Sequence, residues 1–317
     1  MSVHRFMNRV RVVLLILSFC QGIFANTFYR DIIEDVSVLE SEPLTIPTTV
    51  AELPGNVSNP SFSKAKRILQ QKIYEPSGRT VYCGCEFYTE DTKLKVKHDD
   101  CGFAPLKPGG TDRDKKVEWE HVVPASHLGK HREDLKKIWE EGHPECVTGS
   151  GKVYKGRQCL EKVSIEFKLM QADMYNLYPA IGSVNGYRSD RQMGEIPGEE
   201  YIFGTCDAEF AKGVFEPRDE FRGDVARTYL YMESAYPGLY AVPEEIRDLL
   251  NEWNQKDPVD VFECSRQRKI FDEQGNRNPI LSPLCESVMH SESLTETPVL
   301  TGIEALPPRF HSLELNP

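Results

Sequence analysis

The sequence lacks three features, and each absence excludes a class of protein. No apolar run reaches the ~20 residues that a membrane-spanning helix needs, so we expect no membrane span. No Cys-x-x-Cys occurs, which argues against a zinc site built from paired cysteines. Net positive charge is also missing, because 49 acidic and 38 basic residues give a formal charge of −11. That balance argues against a tight, non-catalytic DNA binder, but not against an enzyme whose positive charge is a metal ion.

The first 25 residues have the pattern of a cleaved targeting segment. Arg5, Arg9 and Arg11 precede a short apolar run at 12–17, and small residues lead to a cleavage site after Ala25. This is the order found in a signal peptide. We therefore predict that residues 1–25 are removed and that the protein is secreted or periplasmic.

Eight cysteines remain after that cleavage, and an even number in an exported chain predicts four disulfides. Cys83 and Cys85 lie too close to pair with each other, so each should reach another partner. The full set is Cys83, Cys85, Cys101, Cys146, Cys159, Cys206, Cys264 and Cys285.

Composition divides the mature chain into three parts. Residues 26–60 are acidic and rich in proline, which predicts a linker or pro-segment. Within them, Asn56 begins a glycosylation sequon that has meaning only in a eukaryotic source. Residues 286–317 are predicted to be an acidic, low-order tail. Between these parts, residues 61–285 are enough for one domain with a substantial core.

Hydrophobic periodicity predicts several helices and an early strand in that domain. Helices dominate, so the predicted fold class is α+β, in a mixed, helix-rich single domain braced by disulfides. The elements are a helix from Ser61, a strand over Thr80–Tyr88, and helices over Leu160–Tyr178, Asp219–Tyr236 and Pro243–Trp253.

The run Glu118-Trp119-Glu120-His121 sets a carboxylate directly beside an imidazole. A carboxylate binds a hard divalent cation, and a neutral imidazole accepts a proton from water near pH 7. Together they form half of a metal-assisted hydrolytic site. The structural alternative is a half-buried strand with a satisfied histidine. Neighbours on a strand point to opposite faces, so both side chains share a site only if the strand twists or ends there, as Pro124 favours.

Two further residues have both a structural and a chemical interpretation. Asn185 precedes a glycine, and Asn-Gly is most often a tight turn, yet its amide oxygen is also a good ligand for Mg²⁺ or Ca²⁺. Arg227 lies in a predicted helix, where an arginine usually faces solvent, but its guanidinium could also hold a phosphate through two hydrogen bonds.

Taken in order, these motifs resemble the endonuclease I family of secreted bacterial nucleases. The resemblance runs from about Ser61 to Cys285, and the ordered set is far more specific than any single motif. The motifs are Tyr82-Cys83-Gly84-Cys85, the Glu-Trp-Glu-His run, Trp139, Asp173-Met174-Tyr175-Asn176-Leu177, Gly182-Ser183-Val184-Asn185-Gly186, Ala226-Arg227-Thr228-Tyr229-Leu230-Tyr231-Met232 and Gly275-Asn276-Arg277-Asn278-Pro279.

The resemblance implies a ββα-metal nuclease that cuts DNA, and also RNA, with little sequence preference and leaves 5′-phosphates. It implies that Glu120 and Asn185 bind one Mg²⁺, for which Ca²⁺ or Mn²⁺ can substitute, and that His121 is the general base. A cation between the scissile phosphate oxygen and the leaving oxygen would offset developing charge. We expect a monomer that acts on DNA and RNA substrates.

The chain also departs from the family pattern. Where the family has Gly-Gly-Arg after Trp139, with the Arg holding the product phosphate, this chain has His143 after Glu-Gly. His143, Arg188 and Arg227 are therefore the candidates for that role. Gln171 replaces a family Glu and is expected to weaken the metal site if that Glu tunes it. The stretch at 149–158 is longer than in the family, and Cys146 is predicted to pair with Cys159 across it.

These departures keep two other functions open. One is a catalytically impaired relative that binds nucleic acid or a partner protein. The other is a metal-dependent phosphodiesterase for a smaller substrate. Plasmid nicking with and without EDTA separates them from an active endonuclease.

Overall fold

The computed structural model describes residues 49–99, 101–198 and 201–295, with side chains up to residue 288. Helices and short strands are mixed along the chain, which confirms the α+β class. The α-helices are α1 (Phe62–Ile68), α2 (Ala125–His131), α3 (Glu133–Glu141), α4 (Arg157–Val163), α5 (Ile165–Gln171), α6 (Gly182–Arg188), α7 (Arg222–Ala235), α8 (Glu244–Lys256), α9 (Val261–Gln274) and α10 (Leu281–Thr295). The strands are β1 (Ser77–Arg79), β2 (Glu86–Glu90), β3 (Lys93–Val96), β4 (Val117–His121), β5 (Leu177–Ile181), β6 (Gln192–Met193), β7 (Glu209–Ala211) and β8 (Val214–Glu216).

Three small sheets organise these strands. Strands β1, β2 and β3 form an antiparallel meander, and β8 pairs in parallel with β6 and antiparallel with β7. The central sheet is the antiparallel pair of β4 and β5, in which Glu120 lies opposite Tyr178. Helix α6 begins directly where β5 ends, so two strands and one helix form a compact ββα unit around the end of β4.

The predicted helix over Leu160–Tyr178 is wrong, because this apolar stretch forms two helices and a strand. The chain breaks at Ser164, whose hydroxyl accepts a hydrogen bond from Phe167 N at 3.1 Å and so begins a new helix, α5. Strand β5 then takes the last residues, and every one of them is buried. A continuous apolar run does not distinguish a buried strand from a buried helix.

The other predicted elements hold better. Ser61 caps α1 through Lys64 N at 3.2 Å, and α7 and α8 lie where the hydrophobic pattern places helices. The early strand begins later than predicted, at Glu86, since Gly84 adopts a left-handed φ of +69° in the turn before it. Within the part of the chain that the structure describes, no helix is long and apolar enough to cross a membrane.

Four disulfides close the domain, as the cysteine count predicts. Two of them join Cys83 and Cys85 to different segments, and one is the predicted local pair across the long loop. The bonds are Cys83–Cys206, Cys85–Cys101, Cys146–Cys159 and Cys264–Cys285.

The end of the predicted linker is not a linker but part of the packed domain. Asn56 is fully buried, and its Nδ2 donates hydrogen bonds to Asn59 O at 2.7 Å and Leu169 O at 3.0 Å. Both amide hydrogens are therefore used inside the fold, which is incompatible with a glycan on Asn56. At the other end, α10 continues ten residues into the predicted low-order tail. The predicted signal peptide and most of the linker and tail lie outside the described residues.

We predict that Asn56→Ala lowers the free energy of unfolding by about 2–4 kcal/mol, because the buried carbonyl groups of Asn59 and Leu169 lose the donor that Asn56 supplies. Urea unfolding followed by circular dichroism measures this. Asn251→Ala, at an exposed position on α8, is the control and should change stability by less than about 0.5 kcal/mol. Equal, small effects of both substitutions would contradict the assignment of residues near Asn56 to the core.

Candidate active site

A cleft of about 700 Å³ opens over the end of β4, between α1 and α6. We call it the β4 cleft. It combines carboxylates, an imidazole, cations and aromatic rings. Its walls are formed by Phe62, Lys66, Val117, Glu118, Trp119, Glu120, His121, Pro124, Ala125, Ser126, Trp139, Arg157, Asn185, Ser189 and Asp190.

Glu120 and His121 share this cleft because β4 ends at His121, shortly before α2 begins. The amide of Asn176 fixes that ending: its Oδ1 accepts from Val123 N at 2.7 Å and its Nδ2 donates to Val123 O at 2.9 Å. Helix α2 begins two residues later, after Pro124. The predicted interruption of the strand is therefore present, and both side chains line one cavity.

His121 is buried and has a defined tautomer. Its Nε2 lies 2.8 Å from the carbonyl oxygen of Gln171, and because a carbonyl only accepts, Nε2 carries the hydrogen. Nδ1 is left with its lone pair, and no described residue hydrogen-bonds to it. Burial lowers the pKa of His121 to about 3, and the positive charges of Arg157, Arg188 and Lys66 act in the same direction. The imidazole is thus neutral near pH 7, as a general base must be.

Glu120 is buried beside it and uses one carboxylate oxygen for structure. Oε1 accepts hydrogen bonds from Tyr82 OH and Arg188 Nη1, each at 2.8 Å. Burial raises the pKa of Glu120 to about 7, against the opposing effects of Arg188 and Tyr82. No described residue donates a hydrogen bond to Oε2, so this oxygen has its lone pairs available in the cleft.

Asn185 lines the cleft, and Glu118 in the same wall holds its amide nitrogen. Asn185 Nδ2 donates a hydrogen bond to Glu118 Oε2 at 3.2 Å. Glu118 also accepts hydrogen bonds from Arg113 Nε at 2.9 Å and Arg113 Nη2 at 2.5 Å. This leaves Asn185 Oδ1 without a partner among the described residues. The hydrogen bonds from Arg113 to Glu118 and from Asn185 to Glu118 therefore orient the amide so that Oδ1 is available to a ligand.

The donor set fits a hard cation that retains most of its water. Among the described residues, no group of three or more His, Cys, Asp or Glu side chains could hold a metal ion. The β4 cleft instead offers Glu120 Oε2 and Asn185 Oδ1. Mg²⁺ is commonly bound through one or two protein oxygens, with waters and substrate phosphates completing its shell. The residues present suit such an ion and do not suit zinc.

Arg227 and His143 do not reach this cleft, which corrects two candidate roles. Arg227 is 2% exposed and forms a buried ion pair with Glu263, with N–O distances of 2.9 and 2.5 Å. Its guanidinium is committed to joining α7 and α9. His143 lies in the turn before Cys146, where its Nδ1 accepts from Glu145 N at 3.2 Å. Neither side chain is placed to hold a phosphate at the end of β4.

Arg157 lines the cleft together with a second cation, Lys66, and was not predicted from the sequence. Its Nε donates to Gln171 Oε1 at 3.0 Å and to Glu161 Oε1 at 3.2 Å, while its Nη2 is buried without a hydrogen-bond partner among the described residues. The signal was the Gly156-Arg157 pair, which matches the end of the family's Gly-Gly-Arg but follows the long loop. Gln171 thus contacts Arg157 and His121 rather than the oxygens of the proposed metal site.

The Endonuclease I family model matches residues 61–283. The chain therefore belongs to the endonuclease I family and is a nuclease. Similar proteins include an extracellular deoxyribonuclease of Aeromonas hydrophila, 35% identical over 71% of this chain and 90% of the relative. Endonuclease-1 of Buchnera aphidicola subsp. Acyrthosiphon pisum is 32% identical over 71% and 82%. An extracellular ribonuclease of Bacillus subtilis is 34% identical over 34% and 43%.

Proposed function

We propose that the protein is a secreted or periplasmic, Mg²⁺-dependent endonuclease that hydrolyses phosphodiester bonds of DNA and RNA with little sequence preference. The observation that carries the proposal is a neutral histidine in one cleft with two oxygens, Glu120 Oε2 and Asn185 Oδ1, that have no partner among the described residues. The relatives named as extracellular deoxyribonuclease and extracellular ribonuclease support export and both substrate classes. The proposal includes action as a monomer.

Glu120 and Asn185 would hold the cation. When bound, a divalent cation offsets the negative charge that develops on the phosphate and on the leaving oxygen. Mn²⁺ and Ca²⁺ share the preference for oxygen ligands and are the alternatives to Mg²⁺. The buried Arg188 pairs with Oε1 and favours the ionised form of Glu120 against the effect of burial, and it leaves Oε2 for the ion.

His121 would activate the attacking water. Nδ1 accepts the proton of a water as its oxygen attacks phosphorus, and the bond from phosphorus to the 3′-oxygen breaks. The 3′-oxygen takes a proton from solvent water and leaves as a hydroxyl, the phosphate stays on the 5′ side, and His121 returns its proton to solvent. The carbonyl of Gln171 stabilises the imidazolium that forms, since it accepts a hydrogen bond from Nε2.

Arg157 would hold the cleaved phosphate. Its Nη2 has no acceptor within the described part of the chain, although Nε is paired with Glu161, and a phosphate oxygen is an acceptor of opposite charge. Lys66 also lines the cleft and adds positive charge on the same side as His121. These two groups supply the local positive field that the acidic chain as a whole lacks.

The impaired-relative hypothesis is less well supported. Its main arguments were His143 and Gln171 as replacements in the site. Arg157 lines the cleft and is a candidate for the role of the family's arginine. Gln171 places its backbone carbonyl against His121 and its side-chain oxygen against Arg157, so it supports both proposed groups.

We predict that His121→Ala slows plasmid nicking by roughly 10²–10⁴-fold, because it removes the general base. Conversion of supercoiled to nicked plasmid, with and without EDTA, measures this, and circular dichroism checks folding. His131→Ala, an exposed histidine at the end of α2, is the control. Near-wild-type activity of His121→Ala would refute the assignment.

Glu120→Gln and Asn185→Ala should each raise the Mg²⁺ concentration for half-maximal activity at least about 10-fold, since each removes or weakens one oxygen ligand. Glu120→Gln keeps the side-chain shape but removes the charge that compensates the buried Arg188, so circular dichroism checks that the variant is folded. Metal titrations of the nicking rate provide the readout, with the exposed Glu133→Gln as control. If the Mg²⁺ dependence of a variant is unchanged, the substituted residue is not a metal ligand.

Arg157→Ala should lower the nicking rate by roughly 10²–10³-fold, as expected for loss of a charged donor at a reacting phosphate. Arg157→Lys should recover part of that loss, because it restores charge without the forked geometry. His143→Ala and His143→Arg should leave both the rate and the pH–rate profile unchanged. A broader alkaline limb in His143→Arg would instead return the phosphate-holding role to His143.

A further inference from the structure

A second groove lies on the opposite side of α6 from the β4 cleft. It has a volume of about 300 Å³ and mixes aromatic, apolar and cationic side chains. We call it the Tyr187 groove. Arg113 orients Asn185 through Glu118, and the proposed hydrolysis uses no other exposed side chain of this groove. Its main lining residues are Leu106, Lys107, Arg113, Gly186, Tyr187 and Phe203.

The ring of Tyr187 is held in place before any ligand binds. One face stacks on Phe210, with centroids 5.0 Å apart and an interplanar angle of 29°, and Phe203 packs edge-on at 5.4 Å. The side chain nevertheless remains 38% exposed. A fixed, half-exposed aromatic ring presents a flat surface, and a ligand that stacks on it orders few additional bonds.

Arg113 connects this groove with the β4 cleft. It lies against Gly186, where a Cβ would come within 2.3 Å of its Nη1. The guanidinium reaches over α6 to Glu118, which lines the β4 cleft, through Nε and Nη2. Nη1 has no hydrogen-bond partner among the described residues, and the side chain is 49% exposed. A nucleic-acid strand that leaves the cleft across α6 therefore meets Nη1 of Arg113, the donor of this guanidinium that Glu118 does not use.

The charges in the Tyr187 groove suit a phosphate. Lys107 is exposed and adds a second cation. The acidic residue in the lining, Asp114, is buried and directs its carboxylate to Thr111, whose N and Oγ1 both donate to it. Its negative charge is thereby satisfied internally.

We propose that the Tyr187 groove binds one unpaired nucleotide of the substrate strand, adjacent to the nucleotide held in the β4 cleft. The base stacks on the free face of Tyr187, and its phosphate lies between Arg113 and Lys107. Stacking tolerates any base, so this subsite strengthens binding without reading sequence. The proposal rests on the proposed nuclease function and predicts stronger use of single-stranded than of fully paired substrate.

The first test is steady-state cleavage of a single-stranded oligodeoxynucleotide of about 12 nucleotides. Tyr187→Ala should reduce kcat/KM about 10-fold, mainly through a higher KM, since stacking on one aromatic ring contributes that much to binding. Tyr187→Phe keeps the ring and should restore KM. Tyr88→Ala removes a tyrosine of the same 38% exposure on β2 and serves as the matched control.

A second test does not require turnover. The same oligonucleotide carrying 5-iododeoxyuridine, bound to His121→Ala protein and irradiated, should crosslink to the peptide that contains Tyr187. Crosslinking elsewhere, a KM for Tyr187→Ala equal to that of Tyr88→Ala, or failure of Tyr187→Phe to restore KM would overturn the proposal. If the wild-type protein does not cut nucleic acid at all, the proposed function fails instead, and the two failures are distinguishable.

Discussion

The site depends on the buried ion pair between Arg188 and Glu120. One guanidinium donates to Glu120 Oε1 at 2.8 Å, to His121 O at 2.7 Å and to Val122 O at 2.5 Å. It thus compensates a buried carboxylate and fixes the backbone where β4 ends. Removal of either partner would leave an uncompensated buried charge, which costs about 3–5 kcal/mol. The same helix carries Asn185 three residues earlier, so α6 positions the two unpartnered oxygens relative to one another.

The electrostatics of the cleft follow from burial around this pair. A carboxylate and an imidazole in adjacent positions would normally favour each other's charged forms. Here the positive charge of Arg188 compensates the negative charge of Glu120. Burial and three nearby cations keep His121 uncharged. Glu120, the proposed metal ligand, and His121, the proposed base, can therefore act differently although they are neighbours in sequence. An overall acidic chain can act on a polyanion because its local cations, Lys66 and Arg157, lie where the phosphate would sit.

Much of this site could be predicted from short motifs, because the chemistry is local. The Glu120-His121 pair requires only that a strand end after it, and Pro124 signals that ending. The ligand role of Asn185 was inferred from the family resemblance, and Asn185-Gly186 lies inside α6 rather than in the tight turn that this pair usually forms. Arg157 could not be placed in the same way, since the loop closed by Cys146–Cys159 separates it from Trp139 in sequence but not in space. Arg227 has the residue type of a phosphate ligand, and only its burial against Glu263 shows that it is structural.

The long apolar stretch after Leu160 shows the corresponding limit for the fold, because periodicity alone did not reveal its breaks at Ser164 and Asp173. The central claim is that Glu120 and Asn185 share one cation beside His121. Anomalous diffraction from crystals of His121→Ala grown with Mn²⁺ and a short oligonucleotide tests it most directly. We expect an ion within about 2.5 Å of both Glu120 Oε2 and Asn185 Oδ1. An empty β4 cleft, or an ion bound only elsewhere, would contradict it.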